Sequence, residues 1–357
     1  MKFIHTADLH LDSKMDALPK DKNKIRREEI IRSFEKLCDY ASLNEVKAVI
    51  ISGDMFDTQK VSVKTKRRIL FAISKNPTVD FLYLKGNHDE KIAVEEETLP
   101  VNLKLFGDLW TKYSYENVDI YGVNFNGRNT EYIYDNFNPD KDKVNIVALH
   151  GQVVGYKTKD GGENISIPRL KNKNIDYLAL GHIHSFGIEK LDNRGVFAYS
   201  GCLEGRGFDE TGDKGFCLID VDENKVNVEF VKWAERNYYE HEFDLTGEED
   251  FYLAQEKLSD ILKEKYPTNS IIKVIFKGEI KEDFVVDFDA TSKRLNEIFF
   301  FVKIKDKTKL KIEESDFMYD KSVKGEFVRE VFSSSLDEEV KNKIIALGLK
   351  ALKGEEL

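Results

Sequence analysis

The chain has 357 residues, 41% hydrophobic and 34% charged, with a formal net charge of −10. That length exceeds what one core ordinarily fills, so two domains with a small appendage are expected, and the composition is that of a soluble globular protein. No run of about 18 apolar residues predicts a membrane span, no export signal is read at the N-terminus, and three dispersed cysteines (Cys38, Cys202, Cys217) exclude a disulfide framework or a thiolate zinc site, which makes the cytoplasm the expected location.

In chain order, β-rich runs are predicted at 2–6 (KFIHT), 47–52 (KAVIIS), 80–85 (DFLYLK), 144–149 (VNIVAL) and 175–180 (IDYLAL). Helical patterns over about 24–43 and 63–74 separate the first three, which implies βαβ units around a largely buried sheet. Later runs at 195–200, 215–221 and 225–231 have no helices between them and read as antiparallel additions. Past residue 235 the pattern changes. Strands at 239–245, 271–280 and 300–305 with helices at 249–265 and 290–299 make a small α+β unit. Helices at 325–333 and 336–352 follow, the last with a capping box in Ser335 and Glu338, Gly354 as a stop, and a broad apolar face.

The chain has only seven histidines. Six of them fall within or just after predicted strands of the first 235 residues: His5 and His10 in FIHTADLHLD, His88 in GNHDE, His150 in ALHG, and His182 and His184 in LGHIH. All but His5 sit where a strand ends. The acidic and amide residues Asp8, Asp54, Asp57, Asn87 and Asp89 occupy the same kind of position. In an α/β sheet the C-terminal ends of strands converge on one crevice, so residues distant in sequence are expected to meet there. Several oxygen donors with four or five imidazoles exceed one ion's needs and suit two. Mixed O/N donors without thiolate indicate Mn2+, Fe2+ or Zn2+ rather than calcium, and glycines in SGDMFD, LKGNHDE and LGHIH permit turns that aim the donors inward. His5, inside its strand, is expected to be a buried structural residue, and Asp12 to support its loop or to sit in a solvated turn.

The ordered series DLH, GDMFD, GNHDE, LHG and GHIH resembles the calcineurin-like metallophosphoesterase superfamily over residues 1 to about 235. The strings FIHTADLHLD and DYLALGHIHSF, with KGEFVREV and LGLKALKGEE near the end, are similar to its SbcD/YhaO-type DNA repair nuclease branch. The resemblance implies an α/β four-layer sandwich of mixed sheets flanked by helices, with a small C-terminal α+β capping domain and terminal helices. The expected boundaries are 1–235 (nuclease), 236–312 (cap) and 313–357 (helical segment that docks an ATPase). It further implies Asp8, His10, Asp54 and His184 around one metal, with Asp54 bridging to a second held by Asn87, His150 and His182. His88 would contact the phosphate and assist the leaving group; Asp57 or Asp89 is a candidate to orient it, and either can equally cap a turn.

Two divalent ions, Mn2+ first and Fe2+, Zn2+ or Mg2+ as alternatives, are the implied cofactors. The implied function is exonuclease and endonuclease action on DNA in repair, with an SbcC-type coiled-coil ATPase and a homodimer as partners, and no membrane. A small-molecule (nucleotide) phosphodiesterase or phosphatase is the alternative, and a non-catalytic scaffold of the same fold is a third. The arginine-bearing GDYVDRG pattern of the protein phosphatases is replaced here by GDMFDTQK. Between Thr58 and Val79 six basic residues occur without an acidic one, so Lys60, Lys64, Lys66, Arg67 and Arg68 are candidates for DNA contact; Lys20, Lys22, Lys24, Arg26 and Arg27 form a second basic cluster. Each cluster can equally be a solvated helix face. From Arg236 onward 27 acidic residues outnumber 21 basic ones, which argues against DNA contact by that region.

Overall fold

The computed structural model describes the chain except for residues 16, 58–60, 87–98, 127, 155–163, 282–283, 312–313 and 354–357. Lys60, Asn87, His88, Asp89 and Gly354 therefore lie outside the described residues. The chain divides into two compact units, Met1–Tyr238 and Tyr239–Leu357.

The first unit contains two six-stranded sheets. In one, Lys2–Thr6, Val46–Ser52, Asp80–Leu84 and Leu103–Leu105 run parallel, and Gly215–Asp222 and Lys225–Lys232 extend the sheet antiparallel beyond the first strand. In the other, Val118–Gly122, Val144–His150, Tyr177–Gly181 and Val196–Tyr199 run parallel, with antiparallel edges Thr111–Tyr115 and Gly187–Lys190. The residue pattern alone suggested one sheet; there are two, stacked. Periodicity reports that a strand is covered on both faces, and it does not report what covers it.

The stacking explains why the central strands read as unbroken apolar runs. Successive side chains of a strand point to opposite faces. In Val46–Ser52, Ala48 and Ile50 face the second sheet, where they pack with Ile146, Ala148 and Ala179. Val49 and Ile51 face outward onto Phe34, Leu37, Ile69 and Ile73 of the helices Lys20–Leu43 and Val63–Ser74. On the far side, Leu149, Leu178 and Leu180 pack under Ile133, Tyr134 and Leu170 of two short helices. The result is four layers, helix–sheet–sheet–helix, with both faces of the central strands of each sheet buried.

Three expectations are corrected. Val196–Tyr199 pairs parallel, not antiparallel, with Tyr177–Gly181, because the strand Gly187–Lys190 intervenes and returns the chain. The first helix begins at Lys20, four residues before the apolar periodicity does, since its lysine-rich first turn carries no apolar signal. Arg26 is neither solvated nor on a binding face: it is fully buried, bonded to Glu29 (2.8 Å) and Glu204 (2.9 Å).

In the second unit a three-stranded sheet (Tyr238–Asp244, Ile271–Lys277, Phe301–Asp306) packs with the helices Phe251–Lys265 and Phe288–Ile298 around Leu258, Phe276 and Leu295. Ile271–Lys277 and Phe301–Asp306 are parallel. The helices Val323–Ser333 and Glu338–Lys353 close a small core of Phe317, Val328, Ile345 and Leu349. Asp337, not Ser335, stands at the entry of the last helix, its carbonyl accepting from Lys341 N at 2.9 Å. That helix buries Ile345 and Leu349 and leaves Val340, Leu347 and Leu352 exposed.

Candidate metal centre

The parallel strands of both sheets deliver their C-terminal ends to one place. Asp8 and His10 follow Lys2–Thr6, Asp54 and Asp57 follow Val46–Ser52, His150 ends its strand, and His182 and His184 follow Tyr177–Gly181. Beyond the first sheet, parallel-type bonding continues between the two loops: Asp8 N to Gly53 O (3.1 Å), His10 N to Asp54 O (3.0 Å) and Leu11 N to Met55 O (2.9 Å). These bonds fix Asp8 beside Asp54.

The approach is too close for ordinary side chains at Gly53, Gly181 and Gly86, the last because a Cβ there would meet Asp54. A Cβ at Gly53, whose φ is +90°, would collide with the His150 ring, and one at Gly181 with Ser52 O. Among the described residues, eleven other than glycine have positive φ, and Asp8, His10, Asp12, Asp54 and His182 are five of them. Left-handed backbone is costly outside glycine, so its concentration here marks a site held by its surroundings.

Two groups of donors result. Asp8, His10 and His184 converge, as do Asp8, Asp54 and His150. His10 Nε2 is 3.2 Å from His184 Nε2, and Asp54 Oδ2 lies between the groups, 3.3 Å from His150 Nε2 and 3.9 Å from His10 Nε2. His182 donates its backbone N–H to both Asp8 oxygens at 3.0 Å, and its ring stands edge-on to that of His150, centroids 5.5 Å apart. Asn87 lies outside the described residues.

Three of the four described ligand imidazoles have an oxygen against Nδ1, which leaves Nε2 as the donor to a cation. Ser52 O lies 2.8 Å from His150 Nδ1, Glu210 Oε1 2.7 Å from His184 Nδ1, and Asp57 Oδ1 3.1 Å from His10 Nδ1. Arg206 bonds Asp57 (2.8 Å) and reaches Glu210 through Nη2 (2.6 Å) and its own backbone N–H (2.7 Å).

The residues fit a cation on geometry and on charge. Two nitrogens each about 2.0–2.1 Å from a shared ion would lie roughly 3.0–3.4 Å apart, which brackets the 3.2 Å between His10 and His184. Burial raises the Asp8 carboxyl to about 6 against the charges of His184 and His150. Burial would lower His150, but Asp54, Asp8 and Ser52 O together lift it to about 9, so the cluster draws positive charge even as a bare protein. His10 is pushed down to about 4 by burial and by the Arg206 guanidinium. The donor set of carboxylates and imidazoles without thiolate suits Mn2+, Fe2+ or Zn2+.

Of the residues expected at the site, Asp8, His10, Asp54, Asp57, His150, His182 and His184 come together. Asp57 meets His10 and Arg206; any contact with His88 falls outside the described residues. Of the basic candidates, Lys60 lies outside the described residues, and Lys64, Lys66, Arg67 and Arg68 stand elsewhere, on the helix Val63–Ser74. There Arg68 pairs with Glu28 and Glu35, and Lys64 approaches Glu28 at 4.0 Å, because the acidic face of the neighbouring helix Lys20–Leu43 meets the basic one. Arg67 is exposed and Lys66 half-buried. Asp12 does support its loop, accepting from Arg27 and from Ser62 N. Glu210 and Arg206 were missed. The stretch GCLEGRGFDE follows Val196–Tyr199, a strand read as antiparallel that is in fact parallel, so its C-terminal end was not counted among those that reach the crevice.

Residues 1–186 match the calcineurin-like phosphoesterase family. The uncharacterized metallophosphoesterase YhaO of Bacillus subtilis is 25% identical over 305 residues, covering 79% of this chain and 73% of that protein. The DNA double-strand break repair protein Mre11 of Sulfurisphaera tokodaii is 25% identical over 344 residues, covering 88% of this chain and 82% of that protein. Among solved structures, a dimetal phosphatase from Danio rerio is 10% identical with a TM-score of 0.43, covering 64% of this chain and 95% of that one.

Proposed function

The chain belongs to the calcineurin-like phosphoesterase family and is a metal-dependent phosphoester hydrolase, and we propose that it cleaves phosphodiester bonds in DNA. The convergence of Asp8, His10, Asp54, His150 and His184 into two overlapping donor groups carries the phosphoesterase chemistry. The polymeric substrate is supported by the likeness to Mre11, which runs over 88% of this chain and so well past the 186 residues of the family match.

Asp8, His10, Asp54 and His184 would hold one ion and Asp54, Asn87, His150 and His182 the other, with Mn2+ first among the candidates. Two ions bound there supply Lewis-acid polarisation of the phosphoryl group and neutralise charge on the oxygens of the displacement. The protein's share is positional. Asp57, Ser52 O and Glu210 fix three imidazoles, and the paired loops fix the two aspartates. On the resemblance, His88 protonates the departing oxygen as water adds to phosphorus and the P–O bond breaks. An SbcC-type coiled-coil ATPase, engaged through the last helices, and a second copy of this chain are the proposed partners.

One observation favours the alternative of a small phosphodiester substrate. The ion pairs of Arg68 with Glu28 and Glu35, and of Lys75 with Asp39, neutralise part of the basic helix on a chain already at −10. The test offers the Mn2+-loaded protein linear duplex DNA, circular single-stranded DNA and bis(p-nitrophenyl) phosphate, with Asp54→Asn as the inactive control. Release of nucleotides from DNA supports the reading. Hydrolysis confined to the small diester contradicts it.

A further inference from the structure

Two imidazoles that share one ion must keep their planes and separation together, yet His10 and His184 come from different sheets and are 174 residues apart. Each is backed at Nδ1 by a carboxylate, Asp57 for His10 and Glu210 for His184. Those two carboxylates are joined by a single guanidinium. Arg206 Nη1 donates to Asp57 Oδ1 at 2.8 Å, Nη2 to Glu210 Oε1 at 2.6 Å and Nε to Glu210 Oε1 at 3.1 Å, while the backbone N–H of Arg206 holds Glu210 Oε2 at 2.7 Å. The Arg206 side chain is 16% exposed and Glu210 6%, so water competes little for these bonds.

Resting on the two-ion reading above, we propose that Arg206 is a positioning residue. Its rigid fork sets the distance between Asp57 and Glu210, and through them the alignment of the two histidines of one metal subsite. A cation this close to a metal site would repel the ion unless it served another purpose, and the two carboxylates it bridges leave the trio at net −1. The side chain points its donors at those carboxylates, with Nη2 also 3.2 Å from His184 Nδ1, which separates this role from binding substrate phosphate. The other donor group, Asp8–Asp54–His150, is organised through Ser52 O and the paired loops. The clamp therefore acts on one subsite of two.

The test is Mn2+ binding to the full chain by calorimetry, with electron paramagnetic resonance on the loaded protein. Wild type is expected to take two ions and to show an exchange-coupled pair. Arg206→Gln is expected to weaken one site by about 10–100-fold, the usual effect of losing a residue that orients a ligand, and to show the signal of an isolated ion at the same free Mn2+. Arg206→Lys retains the charge but cannot span both carboxylates, so it should weaken the same site by about tenfold; it decides the matter if the glutamine variant does not fold. Two unchanged sites and a coupled pair in both folded variants, or equal weakening of both sites, would overturn the role of Arg206 alone. Absence of two sites in the wild type would overturn the two-ion reading along with it.

Discussion

His5 is fully buried between the two sheets, its Nδ1 2.8 Å from the hydroxyl of Tyr177, with its ring edge-on to that tyrosine. Burial pushes its pKa down to about 3, against a backbone contact that raises it. The unfolded chain would charge this residue near 6.5. As pH falls below about 6.5 the unfolded state takes up a proton that the native state refuses until about pH 3. The stabilisation is therefore complete above 6.5 and is lost progressively through that window. At pH 5 the loss reaches about 2 kcal/mol, from about 1.5 units at 1.36 kcal/mol each. Both tryptophans, Trp110 and Trp233, belong to the first unit, so their fluorescence follows its unfolding in urea. Between pH 7.5 and 5 the wild type should lose about 2 kcal/mol more than His5→Gln. Equal losses would mean that His5 charges in the folded protein. Sequence placed His5 correctly as structural because it lies inside a strand, where its neighbours by position, Asp8 and His10, lie beyond the strand's end.

At the scale of elements, the helix Lys20–Leu43 is anchored by a buried ion network as well as by its apolar face. Arg26 joins Glu29 and Glu204, and Glu29 also binds Arg236 at 2.8 Å. Removing one partner of a buried pair leaves the other charge desolvated, at a cost of about 3–5 kcal/mol. Arg26→Met should lower the stability of the first unit by that amount in urea unfolding, and adding Glu204→Gln should restore part of it. No restoration in the double variant would show that Arg26 acts through packing alone. This network was not legible in the sequence. Arg26 shares its stretch with four exposed or half-exposed basic residues, and its partner Glu204 lies 178 positions away. The central strands were legible because each is apolar on both faces. The same feature concealed that Ala48 and Val49 face different layers, and the second sheet was expected only from the motif resemblance, not from periodicity.

For the whole molecule, every described ligand lies in the unit Met1–Tyr238, and the histidines were enough to find it: a scarce residue type recurring at strand ends points to one crevice. Arg206 and Glu210 escaped because common charged residues in a glycine-rich loop give no such contrast. The division of the chain makes a further prediction. Deleting residues 325–357 removes nearly all of the helices Val323–Ser333 and Glu338–Lys353 and should leave Mn2+ stoichiometry and hydrolysis of a small diester unchanged, while abolishing association with a coiled-coil ATPase. Loss of metal on truncation would show that the second unit supports the centre; binding of the ATPase by the truncated chain would place the docking surface elsewhere.

The proposed hydrolysis requires two divalent ions at the meeting point of the strand ends. Crystals grown with Mn2+ and measured at its absorption edge test that directly. Two anomalous peaks are predicted, one among Asp8, His10 and His184 and one beside Asp54 and His150. A single peak, peaks away from these residues, or none at millimolar Mn2+ would contradict it.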